Sequence, residues 1–254
     1  KVSTFRMYQA MLLHGTDMAS VRTREAFGLI TKFRILPGCI GRYQLGDDVI
    51  SVTEIEEIVV GGKDMPFEDY VSCRVMNLLV ETFVNNGLFE ELFESLENTG
   101  IGIFEILEHI HENTQLFSDN MREIVDDFIS ETVDYLYDSR SEAEMAALEP
   151  ETLERYLSGD LGKNELLEHR ALLYFDMEDT ADVLLRNTQQ VLHQRGLLTD
   201  NTREYFAQLV RYTICQKSEI SRTDAPIKAS FNYDFKTLSR QRFQADPKEA
   251  IFSD

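Results

Sequence analysis

Two short stretches share a spelling that places a carboxylate and an imidazole on one helical face. Glu105-Ile106-Leu107-Glu108-His109 is matched by Glu165-Leu166-Leu167-Glu168-His169. In each, the first Glu and the His stand at i and i+4, which are neighbours on a helix surface. Facing helices that carry Glu-x-x-His build di-iron centres; here the His falls one residue later. The pattern admits metal binding through Glu105, His109, Glu165 and His169. The ordinary reading of so loose a match is an acidic, solvated stripe with a His among charges. His109 and His111 are two apart and point away from each other. His193 falls near a helix C-terminus, where a cationic His suits the dipole. Cys73 and Cys215 fall on apolar helical faces and are expected to be buried, inert thiols. Cys39, in the bend Pro37-Gly38-Cys39-Ile40-Gly41, reads as a structural residue of a tight turn. The fingerprints Gly-x-Gly-x-x-Gly, Gly-x-Ser-x-Gly and His-Glu-x-x-His do not occur, nor does a Walker loop. The three scattered cysteines do not give the closely spaced thiolates that an iron–sulfur cluster needs.

What surrounds these residues is acidic. Of 254 residues, 45 are Asp or Glu and 25 are Lys or Arg, for a formal net charge of −20. Nucleic-acid binding needs a basic footprint, and anionic lipid attracts basic segments, so neither partner is expected. Hydrophobic residues at 43% are enough for a sizeable core. Few, unpatterned cysteines suit a reducing, cytoplasmic setting, and no run of 18 apolar residues suggests a membrane span. The start at Lys1 suggests a processed chain or a piece of something longer. The charge is uneven: residues 1–45 sum to +5, residues 46–215 to −26 and residues 216–254 to +1. Such asymmetry suggests segments with different tasks.

The elements that must position the candidate residues follow from periodicity. Met7 to Leu13 is a short, mostly apolar run ending at Gly15, as in a buried strand. Thr16 or Asp17 then caps a helix to about Phe27, which Gly28 stops. Phe33 to Leu36 reads as a strand. Arg42–Leu45 and Val49–Val52 flank Gly46-Asp47-Asp48 as a hairpin, and Ile55–Val60 is β-branched and strand-like. From Pro66 the pattern is helical: to Phe83, Leu88–Leu96, Ile103–Ile110, a longer helix capped by Ser118, Pro150–Leu157, Leu166–Phe175, Thr180–Gln194 and Thr202–Ile214. Ile227, Ala229, Phe231, Tyr233 and Phe235 alternate, as in a late strand that rejoins the β part.

The N-terminal third carries a resemblance. Tyr8-Gln9-Ala10-Met11-Leu12-Leu13-His14-Gly15-Thr16, Thr23-Arg24-Glu25-Ala26-Phe27-Gly28 and Thr31-Lys32-Phe33-Arg34-Ile35-Leu36-Pro37-Gly38-Cys39-Ile40-Gly41-Arg42-Tyr43 resemble the downstream region of radical SAM proteins with an N-terminal cobalamin-binding domain. Glu54 to Val60 and Met65-Pro66-Phe67-Glu68-Asp69-Tyr70 fit the C-terminal extension of the same proteins. The likeness covers roughly the first 90 residues well and the helical body only in character. It implies the end of a partial barrel followed by a helical extension. The family's cluster motif, Cys-x-x-x-Cys-x-x-Cys, is not in this chain, so cluster ligands do not carry over. The resemblance implies a parent protein with a 4Fe–4S cluster, S-adenosylmethionine and cobalamin. Barrel chemistry collects at the C-terminal ends of strands. If Met7–Leu13 is a late barrel strand, His14 and Thr16 face the substrate, and Arg34 and Arg42 supply charge for an anionic group. The family usually has Pro where this chain has His14. The plainer alternative is that Gly15-Thr16 only starts a helix.

The expected fold is α+β: a small β-containing head, with late barrel strand and hairpin, and then a mainly helical domain. Residues 1–62 form the barrel-end segment, 63–217 the acidic helical domain and 218–254 a tail with one strand. The expected role is a C-terminal accessory, substrate-facing region of a radical SAM enzyme, not catalytic alone, whose partners are the rest of the parent polypeptide and a protein or small-molecule substrate. Two rivals stand beside it: an acidic helical module that docks a basic protein, and a helical metal protein using the two Glu/His segments.

Overall fold

The structure is a computed structural model that describes residues 4–217 and 228–243. In chain order the elements are α1 (Val21–Phe27), β1 (Ile30–Leu45), β2 (Asp48–Gly61), α2 (Phe67–Phe83), α3 (Glu90–Glu97), α4 (Ile103–Glu112), α5 (Asp119–Asp134), α6 (Arg140–Leu148), α7 (Pro150–Ser158), α8 (Glu165–Phe175), α9 (Met177–Gln194), α10 (Asp200–Lys217) and α11 (Phe235–Arg240). The fold is α+β, as the hydrophobic periods require. The chain divides into two compact units that cut across the expected segments. One, the ribbon unit, comprises residues 6–77 and 125–169; the other, the helical unit, comprises 1–5, 78–124 and 170–254. Burial of a common core, not order along the chain, draws that line: 125–169 carry Leu136, which packs on Ile58, Val60 and Tyr70.

In the ribbon unit, β1 and β2 form one long antiparallel pair from Ile30↔Gly61 to Leu45↔Asp48. The strand pieces read separately from sequence are therefore continuous. Pro37 offers no donor and Gly38 takes φ +72, so the ladder breaks there and resumes at Ile40. The turn is two residues, Gly46-Asp47; the positive φ of Gly46 alone suits a primed hairpin turn. Ser20, not Thr16 or Asp17, caps α1: its side chain accepts from the Thr23 N–H, and Gly28 ends the helix in the left-handed region.

Met7–Leu13 is not a barrel strand. It runs along β2 with one bridge, Met11↔Ile58, made by Leu12 N–H to Glu57 O and Val59 N–H to Ala10 O, both 2.8 Å. Only Leu12 of the run is buried, and Tyr8 is 81% exposed. The apolar run covers an edge of the pair instead of filling a core. On the other edge, Phe33 and Tyr137 exchange backbone hydrogen bonds of 2.9 and 2.7 Å. Sequence periodicity passes over α6. Its buried face is only Ala143 and Ala147, both fully buried, and small residues give a weak apolar signal while allowing close packing on the ribbon.

The helical unit packs α4 on α9 and α10 on both α9 and α3. Its core is aliphatic and aromatic: Leu92, Leu96, Ile106, Leu184, Leu192 and Phe206 are all at most 2% exposed. The expected late strand is not formed. Ile227 lies outside the described residues, and of 228–234 only Tyr233 takes part in a β-bridge, an isolated one, before α11 begins at Phe235. Phe231, Tyr233 and Phe235 stack instead on Tyr205 and Tyr212 of α10. Rings at 231, 233 and 235 that gather on one helix keep a two-residue spacing, which is why the alternation reads as a strand. Asp234 then caps α11 by accepting from Thr237 N–H. Cys73 is exposed, not buried as its face suggested, while Cys39 and Cys215 are half-buried. No described helix is long and apolar enough to cross a membrane.

Candidate functional site

Charged side chains are concentrated inside the ribbon unit where β1, α2, α5 and α8 supply them. Arg34 leaves β1 and pairs with Glu56 across the ladder. It also approaches Glu165 of α8, with Nη1 3.6 Å from Oε1. The same Oε1 accepts from Arg74 of α2 at 2.7 Å. Arg74 is 7% exposed, and burial pushes its guanidinium below the usual range, with Glu165 opposing. The guanidinium also lies over the Phe128 ring at 5.2 Å, a cation–π contact. Phe128 in turn meets His169 edge-on at 5.4 Å.

A polar cleft opens beside this network. It holds about 30 Å³ of free space, room for one or two waters. Its walls include Gln9, Arg34, Tyr70, Glu131, Thr132, Tyr156 and Lys163. Gln9 donates to the Tyr70 hydroxyl at 2.9 Å. Gln9 Oε1, Thr132 Oγ1 and, on Arg34's partner, Glu56 Oε2 are buried without a protein partner, which marks a place for water or a polar ligand. Burial raises the Tyr70 and Tyr135 phenols and pushes Tyr156 up to about 12. Burial also raises the Glu131 carboxyl; Asp127, Glu168 and Glu165 add to this, while His169 opposes it.

Next to the cleft, Asp127 and Glu131, one turn apart on α5, meet His169 of α8. One ligand atom from each lies within 4.8 Å of the others. Nδ1–H of His169, which is 1% exposed, donates to the Glu165 carbonyl at 2.8 Å. That bond fixes the ring and turns Nε2 to Asp127 Oδ2, 3.3 Å away.

The residues proposed from sequence do not come together as expected. His14 is exposed, and its charge acts on Glu57. Thr16 Oγ1 donates to Leu13 O at 2.7 Å in the turns before α1, a local role. Arg42 pairs with Glu154 at the surface. Of these four, only Arg34 lines the cleft. The two Glu/His segments part company. Glu105 forms a two-pronged pair with Arg195 at 2.8 and 2.9 Å. His109 donates from Nδ1 to Asn187 Oδ1 at 2.7 Å and accepts from Gln194 Nε2 at 3.4 Å. His169 has carboxylates for company, but Glu165 is taken by Arg74. Asp127, Glu131 and Thr132 were missed. The signal in the sequence is the i, i+4 carboxylate pair, Asp127 and Glu131, on the helix that Ser118 caps.

The helical unit has a wider groove of about 410 Å³, lined by Arg186, His193, Gln194, Arg203 and neighbouring residues. Arg186 is occupied there by Asp182 and by the Leu116 carbonyl. Compared with known proteins, the chain matches no protein-family model and no curated protein.

Proposed function

We propose that this chain is the C-terminal accessory, substrate-facing region of a larger radical SAM enzyme of the cobalamin-binding type. The observation that carries the reading is that Arg34 and Tyr70, from separate stretches of the family resemblance, wall one polar cleft. Residues far apart in the chain that meet at a site suit a positioning or recognition role. The cluster, S-adenosylmethionine and cobalamin belong to the parent, not to these residues. Among the described residues, the group of ligand atoms close enough to share an ion contains no cysteine, and a cleft with room for one or two waters does not fit either organic cofactor. The chain's own residues hold fixed charge: Arg34 beside Glu56 and Glu165, with Lys163 at the cleft wall.

The test is to express the chain joined to the coding sequence upstream of Lys1. The expected upstream sequence contains Cys-x-x-x-Cys-x-x-Cys, and the reconstituted whole protein releases 5′-deoxyadenosine while the 254-residue chain alone does not. An upstream frame without that motif, or stoichiometric cluster on the isolated chain, overturns the reading.

A further inference from the structure

We propose that Asp127, Glu131 and His169 form a binding site for one first-row divalent metal ion, zinc or a close relative, with a coordination position left open to solvent. This inference goes beyond the accessory role and does not depend on it.

Three observations converge. The first is the orientation of the ring. Nδ1–H of His169 is committed to the Glu165 carbonyl, so Nε2 is the nitrogen left to face the Asp127 carboxylate. An imidazole nitrogen and a carboxylate oxygen 3.3 Å apart share either a proton or a cation. A His whose far nitrogen is anchored to a backbone carbonyl has the outer-shell arrangement of a metal ligand. The second is distance. Bonds of about 2.0–2.1 Å to a tetrahedral ion set ligand atoms about 3.3 Å apart, which is the Asp127–His169 separation. Glu131, on the same face of α5 as Asp127, completes the set within 4.8 Å. The third is the surroundings. Thr132 Oγ1 is buried without a partner on the cleft wall that Glu131 shares, at 5% residue exposure. Glu165 and Glu168 add negative potential at Glu131, and Arg74 and Lys163, which answer those two, do not reach Asp127 or Glu131 within ion-pair distance.

The ligand set also selects the ion. One imidazole with two carboxylates suits zinc, iron, cobalt or manganese more than magnesium or calcium, which prefer all-oxygen shells. Asp127 is 64% exposed in its side chain while His169 is 1% exposed, so the ion is anchored from inside and reached from outside. Three protein ligands leave the fourth position to water.

The experiment is calorimetric titration of the metal-free full chain with Zn²⁺, followed by Co²⁺ with visible absorption to report coordination number. The expected result is one equivalent bound, with tetrahedral or five-coordinate cobalt bands. Asp127→Asn and Glu131→Gln should each weaken the ion by more than the roughly 10–100-fold cost of losing an outer-shell partner. Excess Mg²⁺ should not compete. Both variants are at partly or fully exposed positions and should keep their circular dichroism; His169→Gln is the harsher variant, and its folding is not required for the conclusion. No Zn²⁺ bound at one equivalent overturns the proposal. So does Zn²⁺ binding unchanged in both α5 variants, which would assign the metal to other histidines.

Discussion

The two segments with nearly the same spelling, 105–109 and 165–169, end in different chemistry. His109 is surrounded by amides: Asn187 accepts from one ring nitrogen and Gln194 donates to the other, so the ring is satisfied on both sides. His169 is buried more deeply, and its free nitrogen faces a carboxylate. The leading glutamates differ as much. Glu105 pairs with Arg195 at the surface, whereas Glu165 pairs with Arg74 where both side chains are at most 12% exposed. The local sequence puts a Glu and a His on one face. The helix that packs against that face decides whether the pair is a structural joint or a charged site. Here α9 brings an Asn and a Gln to one, and α5 brings an Asp and a Glu to the other.

Substitutions can break or sharpen that contrast. The largest effect is expected at Arg74. Arg74→Met leaves Glu165 buried with only the more distant Arg34, and chemical denaturation should show a loss of about 3 kcal/mol, the lower end for an orphaned buried charge. A loss below that of the next variant would mean that Arg34 alone suffices. Asn187→Ala comes next. Asn187 is fully buried, accepts from His109 and donates to Val183 O at 2.8 Å. Its loss strands the His109 N–H and should cost about 2 kcal/mol in the same measurement.

An intermediate case is Arg24–Glu57, with distances of 2.5 and 2.8 Å and partial exposure. The Arg24 guanidinium holds the Glu57 carboxyl below its ordinary range; burial opposes this and the Thr31 hydroxyl assists. A carboxyl lowered on folding stabilises the native state above its unfolded pKa and ceases to do so as pH falls through the folded value. Arg24→Ala should therefore cost about 1 kcal/mol at neutral pH, and the gap to the parent should close in acid below the ordinary carboxylate range. A gap that persists in acid would assign the effect to packing. The smallest effect is at Arg195. Arg195→Ala removes an exposed pair and should leave the thermal midpoint where it was; a measurable drop would make the 105–109 segment more than a surface joint.

Much of the fold was legible because helices and hairpin obey strong periods. Pro150 and Gly159 bracket α7, Ser118 accepts from Met121 N–H at the start of α5, and Gly46 turns the hairpin. What was illegible lacked a local signal. The alanines of α6 hide its buried face. The rings of Phe231, Tyr233 and Phe235 mimic a strand because their two-residue spacing gathers them on α10. The division into units depends on which residues share a core, and nothing within any one helix announces it. At the site, His169 stood out as one of five histidines in an acidic chain. Asp127 and Glu131 did not, because they are two carboxylates among 45. Arg34 was singled out for its charge, but its partners Glu56 and Glu165 come from an adjacent strand and a helix more than a hundred residues downstream.

The broken ladder between Ile35 and Ile40 has a kinetic consequence. On its inner side the pair is anchored by Ile35, Ile55, Ile58 and Val60, none more than 7% exposed. On its outer side Tyr43, Leu45, Val49, Ile50 and Val52 are 42–67% exposed, so little burial resists opening there. Leu36 to Cys39 stand opposite Glu54 alone, which uncouples the two stretches. The hairpin should therefore open in two steps. Amides of 40–53 should exchange with solvent deuterium through local fraying, while those of 30–35 and 55–61 exchange only when the unit itself unfolds.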